Sequence, residues 1–362
     1  HLRAHTLAFK MSENRLRMVP ARRRMLAALG SSLLLPTAVQ AQPTARRAPL
    51  RPPRLRAGDT IGLVNPSGAV FERQPYDLAT DTLQALGFRV REAPNLRARY
   101  GHMAGTPAQR AADLHAFFAE NSVAAILALT GGSGANRVLP LLDMALIERH
   151  PKVLAGFSDV TALLNGVHAR TGLVTFHAPV GVSEWNEFSV RSFQRVLVEA
   201  EAATLANQPE RGEHLVARDG RVRTLRPGRA QGPLLGGNLA VLASLAGSRF
   251  MPDFTGAILF LEDTNEFIYR VDRMLSTLML AGVLDRLAGV VLGAFTNCQP
   301  GEGYGTLTLD EVFDDYFGRL GVPVYAGAQF GHIRRKLTLP VGLPVEMDAD
   351  AGTIRLLQPA VR

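Results

Sequence analysis

Cysteine, lysine and long apolar runs are scarce in this chain. A single cysteine among 362 residues, Cys298, excludes an internal disulfide and any cysteine-built zinc or iron–sulfur cage. No His-x-x-x-His or comparable ligand spacing occurs, so no metal site is expected, and nothing in the sequence calls for a cofactor. Lysine stands only at Lys10, Lys152 and Lys336, which leaves few candidates for a lysine base and none for the lysine of a phosphate-binding loop. The longest apolar run, Met25 to Leu35, is 11 residues. That is too short to cross a hydrocarbon layer of about 30 Å as a helix, which excludes a multi-span membrane protein. No segment repeats.

What is present is the balance of a globular protein: 47% hydrophobic and 20% charged residues, in a length that suits two domains. The net charge of +8 resembles a nucleic-acid signal, but it is local. Residues 1–56 contain eleven Arg and one Lys against Glu13, a charge of +11, so residues 57–362 carry −3. A nucleic-acid partner loses its main support.

The basic segment has the layout of an export signal. Arg22, Arg23 and Arg24 precede the apolar run, and Ala38-Val39-Gln40-Ala41 follows as a small-residue cleavage site. Residues 1–56 are expected to be this signal and a disordered linker, cut after Ala41, with a periplasmic destination and no stable membrane insertion after cleavage. The paired arginines also fit a twin-arginine signal. The alternative is a buried first helix.

From Gly58 onward short apolar runs alternate with amphipathic stretches. Strands are expected at Thr60–Val64, Val123–Leu129, Val153–Ala155 and Leu173–Phe176, and helices at Tyr76–Leu86, Arg110–Ala119, Asn136–Arg149 apart from Pro140, and Asp159–Arg170. Continuous apolar strands between helices specify an α/β fold with a parallel sheet covered on both faces, whose ligands bind beyond the carboxyl ends of the strands. Residues 57–180 are assigned to this first domain. Residues 181–230 are polar and read as a linker region with a hairpin. Residues 231–362 form a second apolar block, with strands at Ala257–Leu261, Ala288–Leu292 and Thr353–Leu357 and a helix at Tyr269–Ala281.

The sharpest chemical signal is Val153-Leu-Ala-Gly156-Phe157-Ser158-Asp159-Val160. An apolar strand running into Gly-x-Ser and then a helix is the setting of a nucleophile elbow, which lifts a serine hydroxyl above the sheet edge. The Asp159 N–H would then face a developing oxyanion. The fifth position is Val160 and not Gly, and Ser158 as a plain helix cap is the competing reading. A serine nucleophile needs a base. Lys152 lies six residues upstream on the same strand, about 20 Å away, so histidine is expected. His332 in Gln329-Phe-Gly-His332 and His177 are rivals, with His102 and His168 behind them. Glu262 ends the very apolar run Ile258-Leu-Phe-Leu, where a carboxylate is costly to bury unpaired. Pairing with His332 would satisfy both, and Asp263 and Glu266 are assigned turn and surface roles. The Gly131-Gly132-Ser133-Gly134 loop could cradle an anion or lend a second oxyanion N–H from Gly132. Gly236-Gly237 suits close backbone packing.

Several segments together resemble the LD-carboxypeptidases, serine peptidases that include muramoyltetrapeptide carboxypeptidases and microcin C self-immunity peptidases. They are Gly58-Asp-Thr-Ile-Gly-Leu-Val-Asn-Pro-Ser67, the Gly131-Gly132 loop through Pro140, Gly156-Phe-Ser-Asp-Val-Thr161, Leu173 to Pro179, Leu235-Gly-Gly-Asn-Leu239, Ile258 to Glu266, Tyr269 to Leu275, and Phe330-Gly-His332 with Leu337-Thr-Leu-Pro340. The resemblance covers about residues 58–358. It implies a Ser158–His332–Glu262 triad, an N-terminal parallel-sheet α/β domain, a C-terminal β-barrel-like α/β domain, an active site in the groove between them, and a homodimer. It also implies a substrate, the L,D-peptide bond before the terminal D-Ala of murein tetrapeptides, cleaved through an acyl-enzyme. Murein-recycling members often read Arg-Gly-Gly-Tyr-Gly where this chain has Thr130-Gly-Gly-Ser133-Gly, so Thr130 and Ser133 are expected at the pocket edge with a changed contact to substrate. Arg137, Arg270 and Arg273 are candidates for a substrate carboxylate, with surface ion pairs as the alternative. Two other readings stay open: a related peptidase or amidase that detoxifies a peptide-nucleotide antibiotic, and a periplasmic muropeptide-binding protein without turnover.

Overall fold

The structure, a computed structural model, describes residues 48–301 and 305–362. Strands and helices are numbered along the chain. The predicted export signal lies outside the described residues. Its expected linker does not stay free throughout. Leu50 exchanges backbone hydrogen bonds with Gly172 and Val174, Arg54 donates to the carbonyl of Arg362, and Leu55 is buried at 1% exposure. These apolar anchors between prolines and arginines dock residues 50–55 on the body.

The first sheet has strand order β12-β5-β4-β3-β1-β2. Its members β1 (Thr60–Val64), β2 (Arg89–Glu92), β3 (Val123–Ala128), β4 (Val153–Gly156) and β5 (Thr175–His177) are parallel. The edge strand β12 (Leu339–Val341) comes from far downstream and pairs antiparallel with β5. Crossovers α1 (Gln74–Ala85), α2 (Pro107–Ala119), α3 (Met144–Arg149) and α4 (Thr161–Thr171) connect the parallel strands. Local chemistry sets their starts: Thr106 and Gln109 form a reciprocal capping box on α2, and Asp143 caps α3. The helix expected over Asn136–Arg149 is two 3-10 turns, Ala135–Arg137 and Leu139–Leu141, followed by α3. Pro140 lacks the N–H that a continuous α-helix would use there.

The second sheet has eight strands in the order β6-β14-β13-β8-β9-β10-β11-β7 and curls into a half-barrel. Strands β8 (Arg229–Asn238), β9 (Ile258–Thr264), β10 (Gly289–Thr296) and β11 (Val324–Ala326) are parallel. Antiparallel strands β13 (Pro344–Asp348), β14 (Thr353–Leu356), β6 (Thr204–Ala206) and β7 (Arg223–Arg226) complete it. Helices α6 (Leu239–Ser244), α7 (Ile268–Leu280) and α8 (Leu309–Phe317) follow its parallel strands. The stretch 181–230, read as a linker, contains α5 (Glu187–Phe193) and both edge strands of this sheet, β6 and β7. No helix among the described residues is long and apolar enough to cross a membrane.

The two sheets meet where α4 faces β8. The Asn165 amide donates to the carbonyls of Thr161 and Gly236, and the Asn238 N–H donates to Thr161 Oγ1. A Cβ on Gly237 would sit 2.5 Å from Thr161 Oγ1, so only glycine permits this approach. The contact places the carboxyl end of β4 beside the carboxyl ends of β8 and β9.

Candidate active site

Ser158 follows β4 at the head of the turn that leads into α4, with φ at +63°. A left-handed conformation is unfavourable for a side chain with a Cβ, and it persists only where the surroundings impose it. Here it projects the hydroxyl from the carboxyl edge of the sheet, as the nucleophile-elbow reading expected. Glu262 reaches the same place from the end of β9 and is fully buried. His332 comes from the loop between β11 and β12.

The structure brings these three residues together in one hydrogen-bonded chain. His332 Nδ1 lies 2.7 Å from Glu262 Oε2, and His332 Nε2 lies 3.0 Å from Ser158 Oγ. With Glu262 ionised, Nδ1–H donates to the carboxylate, which leaves Nε2 free to accept the serine proton. The His332 ring is also braced by the Phe157 ring, edge-on at 5.0 Å between centroids. A hydroxyl, an imidazole that can take its proton, and a buried carboxylate that fixes the imidazole tautomer are the parts needed to turn serine into a nucleophile.

The loop after β3 forms the opposite wall. A Cβ on Gly131 would lie 2.9 Å from Ser158 Oγ and 3.6 Å from the Asp159 nitrogen. Gly132, at φ +124°, packs against the backbone of Gly68, where a Cβ would lie 2.8 Å from its Cα and nitrogen. Neither the Asp159 N–H nor the Gly132 N–H donates to a described residue. Both remain available to a ligand oxygen.

These loops are held by a residue that sequence reasoning passed over. Arg110 in α2 is 1% exposed and donates from Nη1 to the carbonyls of Pro66 (2.6 Å) and Gly134 (2.9 Å). The Asp159 carboxylate accepts the N–H of Ala135 at 2.8 Å and attracts the Arg110 guanidinium. One guanidinium thus ties the loops after β1, β3 and β4. The available signal was its place on the α2 stripe with Leu114, Phe117 and Phe118, where an arginine stands among core positions.

The other candidates fall elsewhere. His177 is buried in a cage of Phe157, Phe260 and Phe330, with neither ring nitrogen hydrogen-bonded. Burial first, then the nearby charges of Lys336 and His332, hold its pKa down at about 3, so it stays neutral, and it makes no hydrogen bond to Ser158. His168 is bonded to the carbonyl of Leu173, and His102 is exposed. Asp263, expected in a turn or surface role, is instead buried at 2% exposure. It accepts from Asn238, Ala240 and Thr264, which anchors the start of α6, and burial raises its pKa to about 6. Glu266 pairs with Arg270 at 3.7 Å. Thr130 is half-buried and Ser133 exposed on the loop that carries Gly131, while Arg137 lies against the sulfur of Met103 at 3.5 Å. Arg273 stacks on Tyr269. Lys336, one of the three lysines set aside as a base from the sequence, is 5% exposed, and its ammonium sits 4.3 Å from the centre of the Phe157 ring. Burial lowers its pKa to about 8 against the opposing pull of Glu262 and Glu184. Among the described residues no group of His, Cys, Asp and Glu has the makings of a metal site.

Comparison with known proteins adds independent information. Residues 61–178 match the model of the LD-carboxypeptidase N-terminal domain and residues 231–347 that of the LD-carboxypeptidase C-terminal domain. The chain is 32% identical over 297 residues to the murein tetrapeptide carboxypeptidase of Pseudomonas aeruginosa, covering 78% of this chain and 91% of the relative. It is 29% identical over 335 residues to the microcin C7 self-immunity protein MccF of Escherichia coli, covering 86% and 96%. Among solved structures, the muramoyltetrapeptide carboxypeptidase of Oxalobacter formigenes superimposes with a TM-score of 0.70 at 27% identity, covering 82% of this chain and 97% of that one.

Proposed function

The chain belongs to the LD-carboxypeptidase family and is a serine-type carboxypeptidase, and from that premise we propose that it releases the terminal D-Ala of murein tetrapeptides through a Ser158–His332–Glu262 triad. The observation that carries the proposal is the hydrogen-bonded relay from Ser158 through His332 to Glu262, assembled from both sheets. His332 takes the hydroxyl proton as Ser158 Oγ attacks the carbonyl carbon before D-Ala. Glu262 keeps the imidazole in the required tautomer and stabilises its cation. The N–H groups of Asp159 and Gly132 hold the oxyanion, a contribution of about 10²–10³ in rate for such a donor. The tetrahedral intermediate collapses as His332 returns its proton to the departing amine. Water activated by the same imidazole then attacks the acyl-enzyme and frees the shortened peptide and Ser158.

Incubation with a murein tetrapeptide, followed by mass analysis, tests this: the products expected are the tripeptide and free D-Ala. Cleavage at any other bond, or none, contradicts it. The likeness to the microcin C7 self-immunity protein supports a second reading with the same chemistry, in which the acyl group comes from a peptide-nucleotide. Cleavage of such a conjugate with the tetrapeptide left intact would select it. The leader pattern of residues 22–41 supports action in the periplasm, and a periplasmic form whose mass begins at Gln42 is the corresponding check.

A further inference from the structure

A cavity of about 1070 Å³ is lined in part by the loop that carries His332, although not by His332 itself. Its wall includes Ala294 near the carboxyl end of β10, Gly327 to Gln329 after β11, and Ile333, the residue that follows His332. It therefore opens at the carboxyl edge of the second sheet, the edge at which parallel sheets bind ligands. Its far wall is the loop 207–221. That loop is clamped at its base to the His332 segment: Asn207 donates to the carbonyls of Gly220 and Gly327, Gln329 N–H donates to Asn207 Oδ1, and Gln208 N–H donates to Gln329 Oε1. Gln329 is only 4% exposed, so the clamp is part of the folded body and fixes what the loop presents.

Six arginines line this space. Four are already matched: Arg191 to Glu199, Arg195 to Glu201, Arg334 to Glu184 and Arg335 to Glu210. Arg218 and Arg221 are exposed, and their guanidinium groups make no ion pair or hydrogen bond with a described residue. Two carboxylates of the lining, Glu187 and Asp219, are likewise unmatched. Unsatisfied charges of both signs in one concave space suit a ligand that is itself zwitterionic. A guanidinium is the side chain best shaped for a carboxylate, which it can grip through two parallel N–H bonds. The stem peptide of murein has this character. Its γ-linked glutamate and its diaminopimelate each leave a carboxylate free, and diaminopimelate adds a free amine.

We propose that this cavity is the subsite for the acyl part of the substrate, with Arg218 and Arg221 taking its free carboxylates and Glu187 and Asp219 facing its amine. The identity of the peptide rests on the function proposed above; the placement of the charges does not. Arg218 and Arg221 act here as specificity residues, remote from the bond that breaks.

The test is calorimetric binding to the full chain carrying Ser158→Ala, which cannot turn the ligand over. Two ligands are compared: the murein tetrapeptide with its glutamate and diaminopimelate carboxylates free, and the same peptide with those two carboxylates amidated. The free acid is expected to bind about 10-fold tighter or more. Adding Arg218→Met and Arg221→Met should weaken the acid about 10-fold, leave the amide unchanged and bring the ratio of affinities close to one. Added salt should erode the same preference. Equal binding of the two peptides, equal losses on both in the arginine variant, or no binding of either overturns the subsite. Turnover by the unaltered chain is measured alongside. Discrimination without turnover contradicts the proposed reaction and leaves the subsite standing, and turnover without discrimination contradicts the subsite alone.

Discussion

Gly131 is packed so closely on Ser158 that a methyl group on its Cα would lie 2.9 Å from the serine Oγ. The same methyl would approach the Asp159 nitrogen to 3.6 Å and so intrude on the space proposed for the oxyanion. Gly131→Ala is therefore expected to lower kcat/KM for D-Ala release by about 10²-fold or more. The nearest atom to that methyl would be the Ser158 Cβ at 2.8 Å, on a turn that is already constrained, so the turn must shift and thermal unfolding should also occur at a lower temperature. A variant that keeps near-normal activity would place the oxyanion elsewhere.

The backbone at Ser158 carries strain that the surrounding fold imposes. At φ +63° a residue with a Cβ costs about 1 kcal/mol or more, and glycine does not bear that cost. Ser158→Gly and Ser158→Ala both remove the hydroxyl. The glycine variant should be the more stable of the two by about 1 kcal/mol in urea unfolding, after its greater unfolded-state entropy is set against the relief. The reverse order would mean that the turn is not strained.

Arg110 sets the relative position of three loops through two carbonyls and the charge of Asp159. Arg110→Met keeps the volume of the stem and leaves those carbonyls unpaired. Stability should fall by about 2–4 kcal/mol, and kcat should fall more than KM rises, because the loops carry the groups proposed to meet the transition state. Steady-state kinetics at a temperature where the variant stays folded separates the two effects.

How much of this was legible beforehand depended on local signals. The strands β1, β3, β4 and β9 are nearly continuous apolar runs because both faces are covered, and such runs announce themselves. Ser158 was marked by the strand, glycine and helix around it, and Glu262 by the cost of a carboxylate at the end of Ile258-Leu-Phe-Leu. The edge strands β6 and β7 expose most of their residues to solvent and bear the polar composition of a loop. Strand β12 joins a sheet whose other members lie more than 160 residues upstream, a pairing that no local pattern encodes. The role of Arg110 was hidden for the same reason. Its value lies in carbonyls 44 and 24 residues away.

His177 gives a pH signature with a definite sign. Its folded pKa, about 3, lies below the ordinary value of 6.5 because the aromatic cage excludes water. Between those values the unfolded chain binds the extra proton, so this residue makes the protein lose stability as pH falls from 6.5 toward 3, by up to about 1.4 kcal/mol per pH unit. His177→Phe should flatten that part of the profile and retain D-Ala release at pH 7. An unchanged slope would mean that the buried imidazole does not govern it, and loss of activity would return His177 to the list of possible bases.

The central claim is that Ser158 and His332 work as one unit, and a single kinetic series tests it most directly: D-Ala release from the murein tetrapeptide by the parent chain, Ser158→Ala, His332→Ala and the double variant. Each single change is expected to cost about 10⁴–10⁶ in kcat, and the double variant should be no worse than the poorer single one, because either loss already disables the relay. Losses that multiply in the double variant, or release that survives Ser158→Ala, would contradict the account.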